Sequence, residues 1–142
     1  MFLEHVNLTV SDLDRSIRFY GDAFDFRVRW RGTTTGGTPA AHIGDDRCYV
    51  ALFQAQHPGR AESDYVSVGV NHFGFVVEDL DAMRSKLESL GISPTEDQDY
   101  EPGRRFYFKD HDGFEIELVQ YAAALPAVSH SQINVKKHAA HA

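Results

Sequence analysis

The sequence repeats itself at a constant offset of 67 residues. Residues 5–16 are HVNLTVSDLDRS and residues 72–83 are HFGFVVEDLDAM, and the two segments share His, Val, Asp, Leu and Asp at equivalent positions. A repeat of this length predicts two copies of one supersecondary unit that pack against each other. This feature restricts the possible folds of the chain more than any other.

Each copy predicts a strand, a helix and three further strands. Asp12 and Asp79 follow the opening alternation and are suited to cap the helices that come next, and Gly91 is placed to end the second helix. The later strands are predicted at 26–31, 40–44 and 48–53 in the first copy, and at 92–96, 105–109 and 115–120 in the second. Both copies are therefore βαβββ modules.

The predicted fold class is α+β. Two βαβββ modules form a curved mixed sheet around a cavity, with the helices on the outer face. The first module spans residues 1–55, a polar linker spans 56–67 and the second module spans 68–121. Residues 122–142 are rich in Ala without a sustained period, which predicts a loosely held tail.

The composition favours a small molecule as the partner. The 142 residues carry a formal net charge of −7, whereas nucleic-acid affinity comes mostly from Lys and Arg that neutralise phosphates. The start of the chain lacks a signal-peptide pattern, and no segment approaches the roughly 18 apolar residues of a membrane span. The single cysteine, Cys48, excludes an intrachain disulfide and fits a reducing compartment. We therefore expect a cytoplasmic protein that binds neither nucleic acid nor a membrane.

Strand alternation separates the polar side chains from the apolar ones. The apolar residues at 6, 8 and 10 share the face that packs on the helix, so His5, Asn7 and Thr9 lie on the opposite face. The same alternation places His72 and Glu117 on the polar face of the second module. A sheet with helices on one side and a polar second face is suited to curl around a ligand.

The paired openings and the ending RRFYFKDHDGFEIELVQ resemble the vicinal oxygen chelate superfamily over residues 3–121. In that superfamily the metal ligands lie on the first and last strands of each module, which implies His5, His72 and Glu117 as ligands of one divalent metal ion. The equivalent of Glu117 in the first module is Ala51, whose aliphatic side chain cannot coordinate. Two imidazoles and one carboxylate favour Fe(II), although Mn(II), Ni(II) or Zn(II) can use the same set.

These residues also have a purely structural interpretation. A histidine on a strand is commonly a hydrogen-bonded structural residue, and Glu117 alone could face solvent; the repeat and the common facing favour the metal site. His42 lies in a predicted strand and can line the cavity. No function is assigned to the histidines of the linker, the turn and the tail, which are His57, His111, His130, His138 and His141.

Five further side chains on the ligand face are candidates for contact with the substrate. Asn7, Thr9, Tyr49 and Arg105 are predicted to bind it. Tyr107 is the candidate catalytic residue, because it matches a tyrosine that extradiol dioxygenases and fosfomycin-type transferases of this superfamily place near the substrate. Its alternative interpretation is an ordinary half-buried strand aromatic.

The resemblance leaves several reactions open. An extradiol-type dioxygenase acting on a catechol-like substrate is the leading interpretation, because it needs two histidines, one glutamate and open metal positions. The alternative is a glyoxalase I-like lyase or a thiol transferase that acts on a glutathione or thiol adduct or on an epoxide. Ala51 counts against a standard glyoxalase I, which uses a second glutamate. The segment Glu101-Pro-Gly-Arg-Arg does not resemble the lysine and serine loop of fosfomycin-type thiol transferases. A metal-free drug- or metabolite-binding protein is a further alternative, but such members usually lose the three ligands.

Two-module chains of this superfamily commonly form homodimers, often with modules exchanged between chains. The resemblance therefore implies a homodimer in which His5 can come from one subunit and His72 with Glu117 from the other. The linker at 56–67 is compatible with either arrangement.

Overall fold

The computed structural model describes residues 1–57 and 59–122, and these form two βαβββ modules. The first consists of β1 (His5–Val10), α1 (Leu13–Phe24), β2 (Arg27–Thr33), β3 (Pro39–Gly44) and β4 (Tyr49–Gln54). The second consists of β5 (His72–Val76), α2 (Leu80–Ser89), β6 (Gln98–Tyr100), β7 (Gly103–Lys109) and β8 (Glu115–Tyr121). The predicted α+β fold is confirmed, and the predicted tail lies, apart from Ala122, outside the described residues.

The eight strands form two mixed sheets of four. The strand order is β1-β4-β3-β2 in the first sheet and β5-β8-β7-β6 in the second. In each sheet the first strand pairs in parallel with the last, and the other neighbours are antiparallel. The internal repeat of the sequence is thus a repeat of topology.

Both helices begin at the predicted aspartates. The Asp12 carboxylate accepts the Arg15 N–H at 2.9 Å, and the Asp79 carboxylate accepts the Ala82 N–H at 2.9 Å. Asp25 follows the last residue of the first helix and Gly91 follows the second helix, and both have left-handed φ values, of 57° and 79°. No helix among the described residues is long and apolar enough to cross a membrane.

One hydrophobic core joins the two modules. Its buried members come from both sheets and both helices, and include Leu8, Tyr20, Leu87, Phe106 and Leu118. Aromatic contacts cross the module boundary, with the ring of Phe24 centred 5.2 Å from that of Phe75. The apolar face of each sheet therefore carries its helix, and the predicted polar faces lie on the other side.

One predicted strand is wrong. Residues 92–96 are not a strand, and the short strand β6 lies at Gln98–Tyr100 instead. Ile92 packs against the core and its N–H donates to Leu87 O at 3.0 Å, which closes the end of α2. Pro94 then lacks the N–H that a strand would need, so pairing with β7 starts only beyond it.

Candidate functional site

The second module brings two of the predicted metal ligands together. His72 on β5 and Glu117 on β8 lie on neighbouring parallel strands, with Glu117 paired in register with Gly74. His72 Nε2 lies 3.2 Å from Glu117 Oε2, and both side chains are only partly exposed, at 31% and 14%. An imidazole nitrogen and a carboxylate oxygen are thus side by side on the polar face of the sheet.

Arg105 holds the other oxygen of Glu117. Its Nη1 donates to Glu117 Oε1 at 3.0 Å, while Nε and Nη2 donate to Gly103 O. The guanidinium also lies over the ring of Tyr100, 4.1 Å from its centroid. Arg105 is therefore anchored against Glu117, on the predicted ligand face.

Tyr107 lies beside His72. The two rings meet edge to face, with centroids 5.4 Å apart, and Tyr107 pairs in register with Glu117. Burial raises the pKa of Tyr107, and a hydrogen bond with Tyr100 and the negative charge of Glu117 raise it further. Its hydroxyl is therefore protonated at neutral pH. Both rings border a cavity of about 340 Å³, lined by Tyr65, His72, Thr95, Gln98, Tyr107 and Glu115.

The first module holds His5 in a row of four contacting rings. The rings of His5 and Tyr49 are centred 4.8 Å apart, those of Tyr49 and His42 4.7 Å apart, and those of His42 and Trp30 5.0 Å apart. Each ring comes from a different strand of the sheet. Burial lowers the pKa of His42, and the positive charge of Arg29 lowers it further. The first three rings are stacked and Trp30 is tilted by 46° against His42, so the row is a continuous aromatic surface on the polar side of the module.

The other predicted contacts are more scattered. Asn7 is exposed on β1 and lines a cavity of about 240 Å³ that His72 also borders. Thr9 borders a different cavity, of about 310 Å³, together with His57 and Asp112. Asn7 and Thr9 therefore both lie near the second module, but at two different cavities.

The described contacts leave His5 apart from the other two predicted ligands. No hydrogen bond, ion pair or ring contact among the described residues joins His5 to His72 or Glu117. Within one chain, residues 1–57 and 59–122 contain no group of three or more His, Cys, Asp or Glu side chains that could hold a metal ion. One chain thus presents the candidate ligands as two separate sets.

The strand register confirms that Ala51 and Glu117 are equivalent. Ala51 pairs with Asn7, two residues after His5, as Glu117 pairs with Gly74, two residues after His72. Ala51 is buried. The first module therefore offers a histidine without a carboxylate at the equivalent position.

Three polar neighbours of the histidines are absent from the predicted set. Glu4 contacts His5, and Tyr65 contacts His72. Glu115 accepts a hydrogen bond from Tyr65 and pairs in register with His72. Glu4 precedes His5 directly, and Glu115 shares the strand face of Glu117, so adjacency and alternation could have indicated both. Tyr65 lies in the linker, where no periodicity marks it.

Comparisons with known proteins agree with this fold. The family model of the Glyoxalase/Bleomycin resistance protein/Dioxygenase superfamily matches residues 2–118. Glutathione transferase FosA from Serratia marcescens is 31% identical over 121 residues, covering 82% of this chain and 78% of FosA. Metallothiol transferase FosB from Staphylococcus epidermidis is 28% identical over 120 residues, covering 82% of this chain and 79% of FosB.

A solved structure shares the arrangement of both modules. The glyoxylase/bleomycin resistance protein/dioxygenase domain from Frankia sp. EAN1pec superposes with a TM-score of 0.75 at 28% identity, covering 88% of this chain and 95% of that one. The two transferases support an enzyme of this superfamily and do not support the extradiol branch in particular. The predicted resemblance is confirmed, and the chain belongs to the Glyoxalase/Bleomycin resistance protein/Dioxygenase superfamily.

Proposed function

We propose that this chain is a divalent-metal-dependent enzyme in which His5, His72 and Glu117 hold one metal ion. The contact between His72 Nε2 and Glu117 Oε2, at 3.2 Å on the polar face, is the observation that carries the proposal. Two imidazole nitrogens and one carboxylate suit Fe(II), Mn(II), Ni(II) or Zn(II), with Fe(II) favoured, and leave positions for a substrate. The name of the metallothiol transferase FosB agrees with a metal cofactor.

The proposed site is shared between two chains. His5 and the His72–Glu117 pair form separate sets within one chain, so a second chain is needed to bring the first module of one subunit to the second module of the other. The arrangement is a homodimer with exchanged modules, and its small-molecule substrate binds between them. Size measurement by light scattering tests the dimer, and a monomeric chain that binds metal would contradict it.

The names of the two relatives, a glutathione transferase and a metallothiol transferase, favour transfer of a thiol. We take an epoxide as the electrophilic small molecule that accepts it. In this reaction the sulfur forms a bond to carbon, the carbon–oxygen bond breaks, and the released oxygen takes up the thiol proton. A bound divalent metal would act as a Lewis acid towards that oxygen. The protonated hydroxyl of Tyr107 can donate a hydrogen bond to the same oxygen, and Arg105 keeps Glu117 oriented.

The charges near the site argue against a phosphonate substrate. Arg104 donates to the carboxylates of Asp81 and Asp97, and Arg105 donates to Glu117. Both arginines of β7 are therefore already paired with carboxylates. The row of rings from His5 to Trp30 instead offers a surface on which a planar or apolar substrate can stack.

An extradiol-type dioxygenase for catechol-like substrates is the second candidate. It is favoured by the absence of a fourth ligand at the buried Ala51 and by Tyr107 at the edge of His72. The same open, three-ligand set would serve a bidentate oxygen substrate.

Metal analysis tests the site itself. Purified protein should contain one divalent metal ion per chain, His72→Ala should lose it, and His57→Ala should keep it as a control from the linker. Folding of each variant is checked by circular dichroism. A well-folded His72→Ala protein that keeps the full metal content would contradict the assignment.

Two assays separate the reactions. Consumption of glutathione with a panel of uncharged epoxides is compared, under Mn(II) or Zn(II), with oxygen uptake on catechols under Fe(II). Thiol consumption that disappears in Tyr107→Phe supports the transferase. Oxygen uptake without thiol consumption would replace it with the dioxygenase.

A further inference from the structure

We propose that Glu4, and Tyr65 together with Glu115, are positioning residues that orient the two ligand histidines so that Nε2 of each is presented to the metal ion. This inference rests on the proposed metal site. It concerns side chains that are not themselves ligands, and it assigns a role to the Nδ1 atom of each histidine.

The second module connects His72 to a carboxylate through a tyrosine. The Tyr65 hydroxyl contacts His72 Nδ1 at 3.0 Å and donates a hydrogen bond to Glu115 Oε1. An ionised carboxylate only accepts hydrogen bonds, so the Tyr65 proton points to Glu115 and the Tyr65 oxygen is left to accept from His72 Nδ1–H. That proton on Nδ1 leaves Nε2 as the ligand atom, on the side where Glu117 Oε2 lies.

The first module makes the same connection directly. Glu4 Oε2 lies 2.9 Å from His5 Nδ1, and the Tyr49 hydroxyl donates to the same oxygen at 3.4 Å. Because the carboxylate accepts, His5 Nδ1 carries the proton and Nε2 is again the free nitrogen. The stacked ring of Tyr49 holds the imidazole plane at 18° to its own.

Each module thus places one tyrosine and one glutamate near its histidine, but the two residue types have swapped places between the modules. The residue opposite the histidine on the neighbouring parallel strand is Tyr49 in the first module and Glu115 in the second. The residue that contacts Nδ1 lies outside the strands and is Glu4 in the first module and Tyr65 for the second. Such outer partners fix the tautomer and ring orientation of metal-binding histidines.

The loop that carries Tyr65 is built to hold it. Tyr65 has a φ of 57°, an uncommon conformation for a residue other than glycine, asparagine or aspartate. The Asp64 carboxylate accepts the N–H groups of Val66 and Ser67, each at 2.9 Å, and so encloses Tyr65 in a tight turn. Local strain that is held by its surroundings is common at functional sites.

Metal titration of the full-length apoprotein tests the inference. We expect Tyr65→Phe and Glu4→Ala each to raise the Kd for Co(II) about tenfold and to alter the Co(II) absorption spectrum. Glu4→Gln keeps an acceptor for Nδ1–H and should lose less affinity than Glu4→Ala. Tyr121→Phe, at the far end of β8, is the matched control and should bind as the unchanged protein does.

The outcomes separate the two proposals. If the unchanged protein binds no metal, or if His72→Ala binds it equally well, the proposed site fails and this inference fails with it. If His72→Ala loses the metal but Tyr65→Phe and Glu4→Ala keep the original Kd and spectrum, only the positioning role is refuted. Melting temperatures of the apoproteins, expected to be unchanged, exclude a general loss of structure.

Discussion

Replacement of Tyr20 by Phe tests how the two modules are joined. Tyr20 lies in α1 and is fully buried, and its hydroxyl donates to Asp110 Oδ2 of the second module at 3.0 Å. Asp110 is itself only 2% exposed, and its other oxygen accepts the N–H groups of Asp112 and Phe114. Phe keeps the ring in the core and removes only this contact between modules.

The expected loss follows from the burial of both partners. A hydrogen bond to a charged group contributes about 1.5–3 kcal/mol, and Oδ2 of Asp110 loses the only side-chain donor that the described residues give it. We therefore expect Tyr20→Phe to lower the free energy of unfolding by about 2 kcal/mol. This corresponds to a fall of roughly 6–10 °C in Tm for a chain of this size.

Urea unfolding at one fixed protein concentration measures the effect, with Trp30 fluorescence and circular dichroism as probes. A double-mutant cycle with Asp110→Asn should give a coupling of about 1 kcal/mol or more, because the two side chains contact each other. A loss below about 0.5 kcal/mol, or strictly additive effects, would refute the account of this contact.

Three further outcomes are expected. Asp79→Ala removes the cap of α2 and should lower the free energy of unfolding by about 1 kcal/mol in the same urea assay, whereas no change would contradict the capping role. Burial raises the pKa of Asp110, so the stability that this group contributes is present below its unfolded pKa and is lost as the pH rises through its folded pKa. The unfolding free energy of the unchanged protein relative to Asp110→Asn should therefore be higher near about pH 4 than near pH 7, and the opposite trend would refute the sign. Fosfomycin and glutathione should give no adduct by mass spectrometry, because Arg104 and Arg105 are already paired with carboxylates, and rapid adduct formation would show that a phosphonate can displace them.

The repeat and the strand alternation allowed most of the fold to be predicted. A period of two decides which face each side chain takes, and this is why His72, Glu117, Arg105 and Tyr107 were expected on one surface and lie together there. Both helix starts could also be predicted, because an N-cap depends only on residues three apart in the sequence. The prediction of a strand at 92–96 was wrong because the Ile92 N–H bonds to the end of α2. No periodic pattern in the sequence marks this contact.

The remainder of the site depends on contacts between distant elements. Whether His5 meets His72 is decided by how the modules pack, and aromatic contacts such as that of Phe24 with Phe75 have no sequence pattern that predicts their geometry. The contact of Tyr65 with His72 could not be predicted, because the position of Tyr65 depends on a turn that the Asp64 carboxylate stabilises. The contact of such a linker residue with His72 can be identified only once the position of the linker relative to β5 is known.

Co-expression of two variants tests the shared metal site most directly. His5→Ala and His72→Ala chains with different affinity tags are produced together, and the mixed dimer is isolated through both tags. In an exchanged dimer one of the two sites receives both intact histidines, so the mixed dimer should contain about half the metal of the unchanged protein, while each variant alone contains none. A mixed dimer without metal, beside an unchanged protein that binds it, would contradict a site shared between chains.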